Sequence, residues 1–249
     1  MCPYIYITLP SYGVMAFVGG FAVLMVIYLR IERFQVPFET FLKLFFASGI
    51  GGFLGSKVLF AITQIPKLIT DFSFENMLLL IPQSGFVFYG GLFGVLCTIK
   101  ICTRGNGVMR EQIYRMMAPA IPLFHGFGRI GCMMAGCCYG KRLKSAVLVF
   151  GVFELERIPV QIIEAVYEFF LCAVILMAEK YEKVDGLKLY LIAYGIFRFI
   201  IEFFRGDPVR GIFFGLSTAQ WISLFILGYY LRKRCISRTG KRKTGLLQK

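Results

Sequence analysis

Apolar residues arrive in long blocks, and that feature constrains the fold more than any other. A helix needs roughly 20 predominantly apolar residues to cross a hydrocarbon core about 30 Å thick. Seven stretches meet or approach this demand: about 12–30, 41–63, 77–99, 117–138, 160–178, 187–204 and 212–231. Glycine and polar residues interrupt the third to sixth. Lipid cannot satisfy open backbone, so such interruptions belong against protein or a water-filled cavity. Composition agrees: 57% of the residues are hydrophobic and 17% charged, against roughly 45–50% and about 25% in a soluble domain. The expected fold is an all-α integral membrane bundle of about seven transmembrane helices. It forms a single domain over 1–231, followed by a basic tail over 232–249.

A net charge of +14 suggests nucleic acid in a soluble protein. Here the basic residues lie mostly in short loops and the tail, where they orient a membrane protein instead. With the tail inside, the inner segments hold 18 Lys and Arg and the outer segments 7. The positive-inside rule then puts the N-terminus outside and the C-terminus in the cytoplasm. That result requires an odd number of spans. The longest outer loop, about 139–159, is expected to form a small cap. The tail reads as a disordered basic segment drawn to anionic lipid. The expected surroundings are a bilayer, crossed several times, with no nucleic-acid partner. Residues 1–11 lack a basic n-region, so no cleavable signal peptide is expected.

Eight cysteines are scattered along the chain, unlike the disulfide framework of a small secreted domain. Five read as small apolar residues. Cys132, Cys137 and Cys138 cluster in sequence and admit three readings: a redox pair, a metal site with His125, or apolar filling. Their spacing fits no common zinc pattern. That favours filling or an outer-face disulfide, and no metal or other cofactor is expected.

Charge inside an apolar run is the strongest functional signal, because an arginine at mid-bilayer costs from about 2.5 to well above 10 kcal/mol. Lys57, His125, Arg129, Glu164, Glu168, Arg198 and Glu202 qualify by position. Arg198 and Glu202 stand four apart and share one helix face. Either they neutralise each other so that the helix can insert, or Glu202 orients Arg198 and leaves part of its guanidinium fork for an anion. Tyr194 lies on the same face. Arg129 sits among Gly126, Gly128, Gly131 and Gly136. Those glycines serve close helix packing, or they open backbone N–H groups beside the guanidinium to form a phosphate site. Two arginines on separate spans suggest a phospholipid head group held in the outer leaflet. Tyr89 precedes Gly90 and Gly91, where a close helix crossing is the simpler reading.

These segments carry a resemblance. PSYGVMAF, SGFVFYGGLFG, HGFGRIGCMMAGCCYG, RIPVQIIEA, AYGIFRFIIEFFRGDP and LSTAQWISL stand in the order found in bacterial prolipoprotein diacylglyceryl transferases. The matches run from about 12 to 225. The family moves diacylglycerol from phosphatidylglycerol to the lipobox cysteine thiol of a preprolipoprotein and releases glycerol phosphate. The resemblance therefore implies a bacterial plasma-membrane enzyme whose partners are phosphatidylglycerol and the lipobox peptide. It implies Arg129 and Arg198 on the lipid phosphate, Glu202 in a positioning role, and Tyr12, Tyr89, Gly90, Gly91, Gln161 and Tyr194 around the cavity.

Several positions depart from the family pattern. Tyr89 stands where the family has a histidine, and Cys132 and Cys137 replace an asparagine and an acid. The family's H-P-S-Q-L-Y-E becomes RIPVQIIE, which keeps Pro159, Gln161 and Glu164. Phenol titrates near 10 and is a poor base at neutral pH. His125, four residues before Arg129, is expected to take the base role instead. Two other classes stay open at this point. One is a paralogue that binds or transports phospholipid without acceptor chemistry. The other is a thiol-dependent membrane oxidoreductase using Cys137 and Cys138.

Overall fold

A computed structural model describes residues 4–6, 9–70, 87–149, 153–179, 184–207 and 212–246. The helices are α1 (Ser11–Tyr28), α2 (Ile31–Phe34), α3 (Phe38–Thr70), α4 (Phe88–Cys102), α5 (Gly107–Met117), α6 (Ala120–Ala135), α7 (Val160–Ala178), α8 (Gly186–Ile201) and α9 (Thr218–Leu246). A 3-10 turn, Glu202–Phe204, extends α8. Three antiparallel hairpins join them: β1 (Tyr4–Tyr6) with β2 (Leu9–Pro10), β3 (Arg142–Val149) with β4 (Phe153–Arg157), and β5 (Ile212–Phe213) with β6 (Leu216–Ser217).

The chain is thus mainly helical, and the all-α expectation is corrected by these hairpins, which occupy connections. Residues 212–217, expected in the last span, form the hairpin β5–β6. The reason is local: Phe214 and Gly215 adopt left-handed backbone (φ +50° and +79°), which a tight hairpin accommodates and a helix does not. Helix α9 begins only afterwards. Ser217 Oγ accepts from Gln220 N at 3.3 Å, and Gln220 Oε1 accepts from Ser217 N at 2.9 Å, a reciprocal capping box. The tail expected to be disordered continues α9 to Leu246, since no proline interrupts it and Lys and Arg are good helix formers. The first part of the expected third span, 77–86, lies outside the described residues.

Among the described residues three helices are long and apolar enough to cross a membrane, Ser11–Tyr28, Phe38–Thr63 and Val160–Ala178, and Phe88–Cys102 is a shorter apolar helix. Burial runs opposite to that of a soluble protein. Phe17, Phe46, Ile50, Phe170 and Phe225 are exposed, while Glu164, Glu168, Arg198 and Glu202 are buried. An apolar exterior of this extent marks a lipid-facing surface, and the chain is a membrane protein.

Packing brings α3 along α4, α1 along α6, α6 along α7 and α8 along α9. Glycine makes the α3–α4 approach possible. A Cβ at Gly90 would sit 2.4 Å from the carbonyl oxygen of Gly55, and one at Gly94 would sit 2.1 Å from that of Gly51. Two apolar cores result. Ile27, Phe41, Leu44, Ile99 and Met116 form one. Tyr89, Leu92, Leu171, Ile175, Tyr190 and Tyr194 form the other, which walls the ionic site.

Candidate functional site

Helices α6, α7 and α8 each contribute a pair of ionisable residues four apart, so each pair shares a face. They are His125 with Arg129, Glu164 with Glu168, and Arg198 with Glu202, the last just past the end of α8; all six are buried. Glu168 Oε1 lies 2.8 Å from His125 Nδ1. Arg129 Nε donates to His125 Nε2 at 3.1 Å and lies 2.8 Å from Glu164 Oε2. The other Glu164 oxygen pairs with Arg198 Nη1. Arg198 Nη2 reaches Glu202 Oε2 at 2.7 Å. Arg205 Nη1 stands 3.7 Å from that oxygen. It also grips Asp207 through two hydrogen bonds of 2.9 and 2.7 Å.

A guanidinium N–H can only donate, so His125 Nε2 must present its lone pair. The ring proton therefore sits on Nδ1 and is donated to Glu168, and the imidazole is neutral. Along the chain, three guanidiniums (Arg129, Arg198, Arg205) face four carboxylates (Glu164, Glu168, Glu202, Asp207). The arginines thus have strong partners already. Glu202 reaches Arg198 from the same face, and Glu164 from a different helix bridges both arginines. A bidentate anion entering here would take over the Glu164 contacts.

The remaining expected residues surround this chain in different ways. Tyr194 is 1% exposed; its ring lies edge-on to His125 at 5.2 Å, and Phe88 stacks flat on the imidazole at 3.6 Å. Tyr89 is buried, with its hydroxyl 2.8 Å from Ser223 Oγ. Since Ser223 Oγ spends its own proton on the carbonyl of Ala219, Tyr89 is the donor. Gly90 and Gly91 face α3, where a Cβ on Gly91 would stand 3.4 Å from the carbonyl oxygen of Gly52, so they serve the helix crossing. Tyr12 packs over Gly131, whose Cβ would meet its ring at 3.2 Å. Gln161 Nε2 donates to the carbonyl of Cys137 at 2.8 Å and so holds the loop after α6. Lys57 lies apart on α3, with Nζ 5.7 Å from the Phe53 ring centre.

That loop brings Cys132, Cys137 and Cys138 together, their sulfurs all within 4.8 Å of one another. His125 is not among them, because both its nitrogens are committed to Glu168 and Arg129. A cleft of about 120 Å³ reaches the ionic chain from the β5–β6 side, between Lys141, Glu202, Phe203, Ile212, Ser217 and Gln220. Glu168 is a candidate by its charge in an apolar run, but its pairing with His125 is not read from sequence. Phe88 is not singled out by sequence and carries no signal there.

Comparison with known proteins gives this arrangement a family. The family model described as prolipoprotein diacylglyceryl transferase matches residues 3–231. A phosphatidylglycerol–prolipoprotein diacylglyceryl transferase of Clostridium tetani is 33% identical over 232 residues, covering 89% of this chain and 91% of its own. The protein of Clostridium perfringens named phosphatidylglycerol–prolipoprotein diacylglyceryl transferase 2 is 35% identical over 205 residues, or 79% and 78% of the two chains. One from Idiomarina loihiensis is 32% identical over 210 residues, or 79% and 76%. With nearly the whole chain matched, and two arginines from separate helices gathered on one buried carboxylate, this protein belongs to the prolipoprotein diacylglyceryl transferase family.

Proposed function

We propose that this enzyme transfers diacylglycerol from phosphatidylglycerol to the lipobox cysteine thiol of a preprolipoprotein, releasing glycerol phosphate. It would work in a bacterial plasma membrane crossed seven times, N-terminus outside and tail in the cytoplasm, as one domain over 1–231. The observation that carries the reading is the pair Arg129 and Arg198 meeting on Glu164. Two guanidinium forks within reach of one carboxylate are spaced for one phosphate. As the head group enters, its oxygens replace Glu164 on both arginines, while Glu202 keeps Arg198 aimed.

Arg129 then turns from His125, and Nε2 becomes free to take the acceptor thiol's proton. Glu168 on Nδ1 holds the ring and balances the imidazolium, the part a carboxylate plays beside a catalytic histidine. The thiolate attacks the glyceryl carbon, a C–S bond forms and the C–O bond breaks. Its electron pair goes to the phosphate, where the arginines meet the developing charge. Tyr12, Tyr194, Tyr89 and Gln161 shape the walls, and Gly90 and Gly91 set the position of Tyr89 through the α3–α4 contact.

Transfer of labelled diacylglycerol from phosphatidylglycerol to a lipobox peptide tests the proposal. Arg129→Ala and Arg198→Ala are each expected to lower the rate by about 10²–10³-fold, the usual cost of one donor to a developing charge. No transfer by the parent protein rejects the reaction. Head-group binding unchanged in both variants rejects the site. A phospholipid-binding protein without acceptor chemistry would bind phosphatidylglycerol yet transfer nothing. The names of the relatives support the transferase over it.

A further inference from the structure

We propose that Cys132, Cys137 and Cys138 hold a zinc ion with one open position, and that this position takes the acceptor thiol; the second half rests on the transferase reading above. The three sulfurs lie within 4.8 Å of one another, and the backbone is shaped to bring them there. Gly136 ends α6 in left-handed conformation (φ +74°), and Cys138 repeats it at φ +56°. A non-glycine residue in that region is strained, and what the turn achieves is to fold Cys138 back onto Cys132. The loop is then pinned on every side. Cys137 N donates to the Cys132 carbonyl at 3.0 Å, and Gln161 holds the Cys137 carbonyl at 2.8 Å. Beyond it, Gly206 N donates to Tyr139 O and Lys141 N to Phe204 O, both at 2.9 Å. Apolar filling needs none of this.

Thiolate ligands and a tetrahedral preference make zinc the fitting ion, with bonds of about 2.3 Å that imply sulfurs roughly 3.8 Å apart. The cluster has only to tighten by about 1 Å. Three protein ligands plus one exchangeable position is the arrangement of catalytic rather than structural zinc. The open side is present too, because Cys132 is buried while Cys137 is exposed. Three thiolates around Zn²⁺ leave a net charge of −1, and Arg129, one turn before Cys132 on α6, supplies a cation beside it.

The consequence is chemical. A free cysteine is only a few per cent thiolate at neutral pH, whereas a thiol bound to zinc is deprotonated outright. The acceptor thiol displaces water from zinc and gives up its proton to His125. The bound sulfur then attacks the glyceryl carbon as the C–O bond breaks, its electrons leaving with the phosphate. The thioether product, neutral and a weak ligand, dissociates and water returns. The cysteines thus supply the thiol activation that Tyr89, with its phenol committed to Ser223, does not.

The test uses the full chain purified in detergent under reducing conditions, incubated with zinc and freed of excess. One zinc per chain is expected, with cobalt substitution giving intense tetrahedral and thiolate charge-transfer bands. Cys137→Ser, the mildest change at the exposed ligand, is expected to weaken zinc binding at least tenfold. Replacing all three by serine should abolish it. Metal-free parent protein, or zinc retained by the triple variant, overturns the site. So does a disulfide between two of the three thiols that persists in reductant.

Activity is read separately. Stripping zinc should lower lipobox transfer by about 30-fold at pH 7 and make the remaining rate climb about tenfold per pH unit toward 8.5, the free-thiol value. Zinc should restore a flat profile. Zinc bound with transfer unchanged by its removal overturns thiol activation while leaving the transferase intact. Zinc bound with no transfer in either form rejects the transferase and the activation role together, and leaves the metal site standing.

Discussion

Glu164 decides how tightly the ionic chain closes when no lipid is present. Breaking a buried pair by removing one partner costs about 3–5 kcal/mol, because a charge is left without compensation. Glu164 serves two arginines at once, so Glu164→Gln is expected to reach the upper part of that range. Added phosphatidylglycerol should recover much of the loss, since its phosphate substitutes for the missing carboxylate. Phosphatidylethanolamine, with no net charge, should recover little. Thermal unfolding in micelles with each lipid checks this, and equal rescue by both would place the anion elsewhere. Tyr89 predicts the contrary pattern. Its hydroxyl is absorbed in the Ser223–Ala219 relay, so Tyr89→Phe should cost about 1 kcal/mol and leave transfer within about twofold of the parent. At this scale the sequence exposes Arg129 and Arg198, because charge in an apolar run has no cheap explanation. It does not expose their shared partner, because Glu164 reaches them across helices and only tertiary packing brings them together.

Helices are legible where length and apolarity coincide, as at α1, α3 and α7, and where capping is local, as at Asp185, whose side chain accepts from Lys188 N at 3.0 Å to open α8. They are less legible where backbone conformation overrides composition. The apolar residues of 212–217 read as the start of a span but turn at Phe214 and Gly215. The left-handed Cys138 is equally invisible, so the sequence groups the three thiols without showing the turn that gathers them. The glycines of α3 and α4 fall between these cases. Their spacing suggests a close crossing, and the geometry gives its tightness. A methyl group at Gly90 would press on the backbone of Gly55 at 2.4 Å, with no flexible side chain to yield. Gly90→Ala is therefore expected to destabilise the protein by about 1–3 kcal/mol, as overpacking does, and to lower transfer by displacing the adjacent Tyr89. Gly20→Ala in α1, where a Cβ meets nothing within 4 Å, should be neutral or slightly stabilising. Comparable losses in the two variants would mean that helix propensity, not the crossing, sets the cost.

For the molecule as a whole, charge predicts an orientation, and the orientation would place the chemistry. Exposed apolar side chains on α1, α3, α7 and α9 fix the lipid-facing surface but not which end of the bundle faces which compartment. The basic residues break that tie for the proposed topology, with 18 assigned to one side and 7 to the other, and the positive-inside rule predicts that the larger set lies inside. That topology would open the loop that carries the thiol cluster, and the hairpin β3–β4, to the outside. On the proposed function, that is the compartment where the lipobox cysteine of an exported precursor would be presented, and where an anionic head group in the outer leaflet would meet Arg129 and Arg198. Reporter fusions read this directly. Alkaline phosphatase joined after Lys144 should be active, since it folds only outside the cytoplasm. The same enzyme joined after Lys100 should be inactive, and green fluorescent protein at the C-terminus should fluoresce. Phosphatase activity after Lys100 together with a dark C-terminal fusion would invert the molecule. The site would then face the cytoplasm, where no exported lipobox waits, so the topology experiment tests the transferase reading from the outside of the molecule inward.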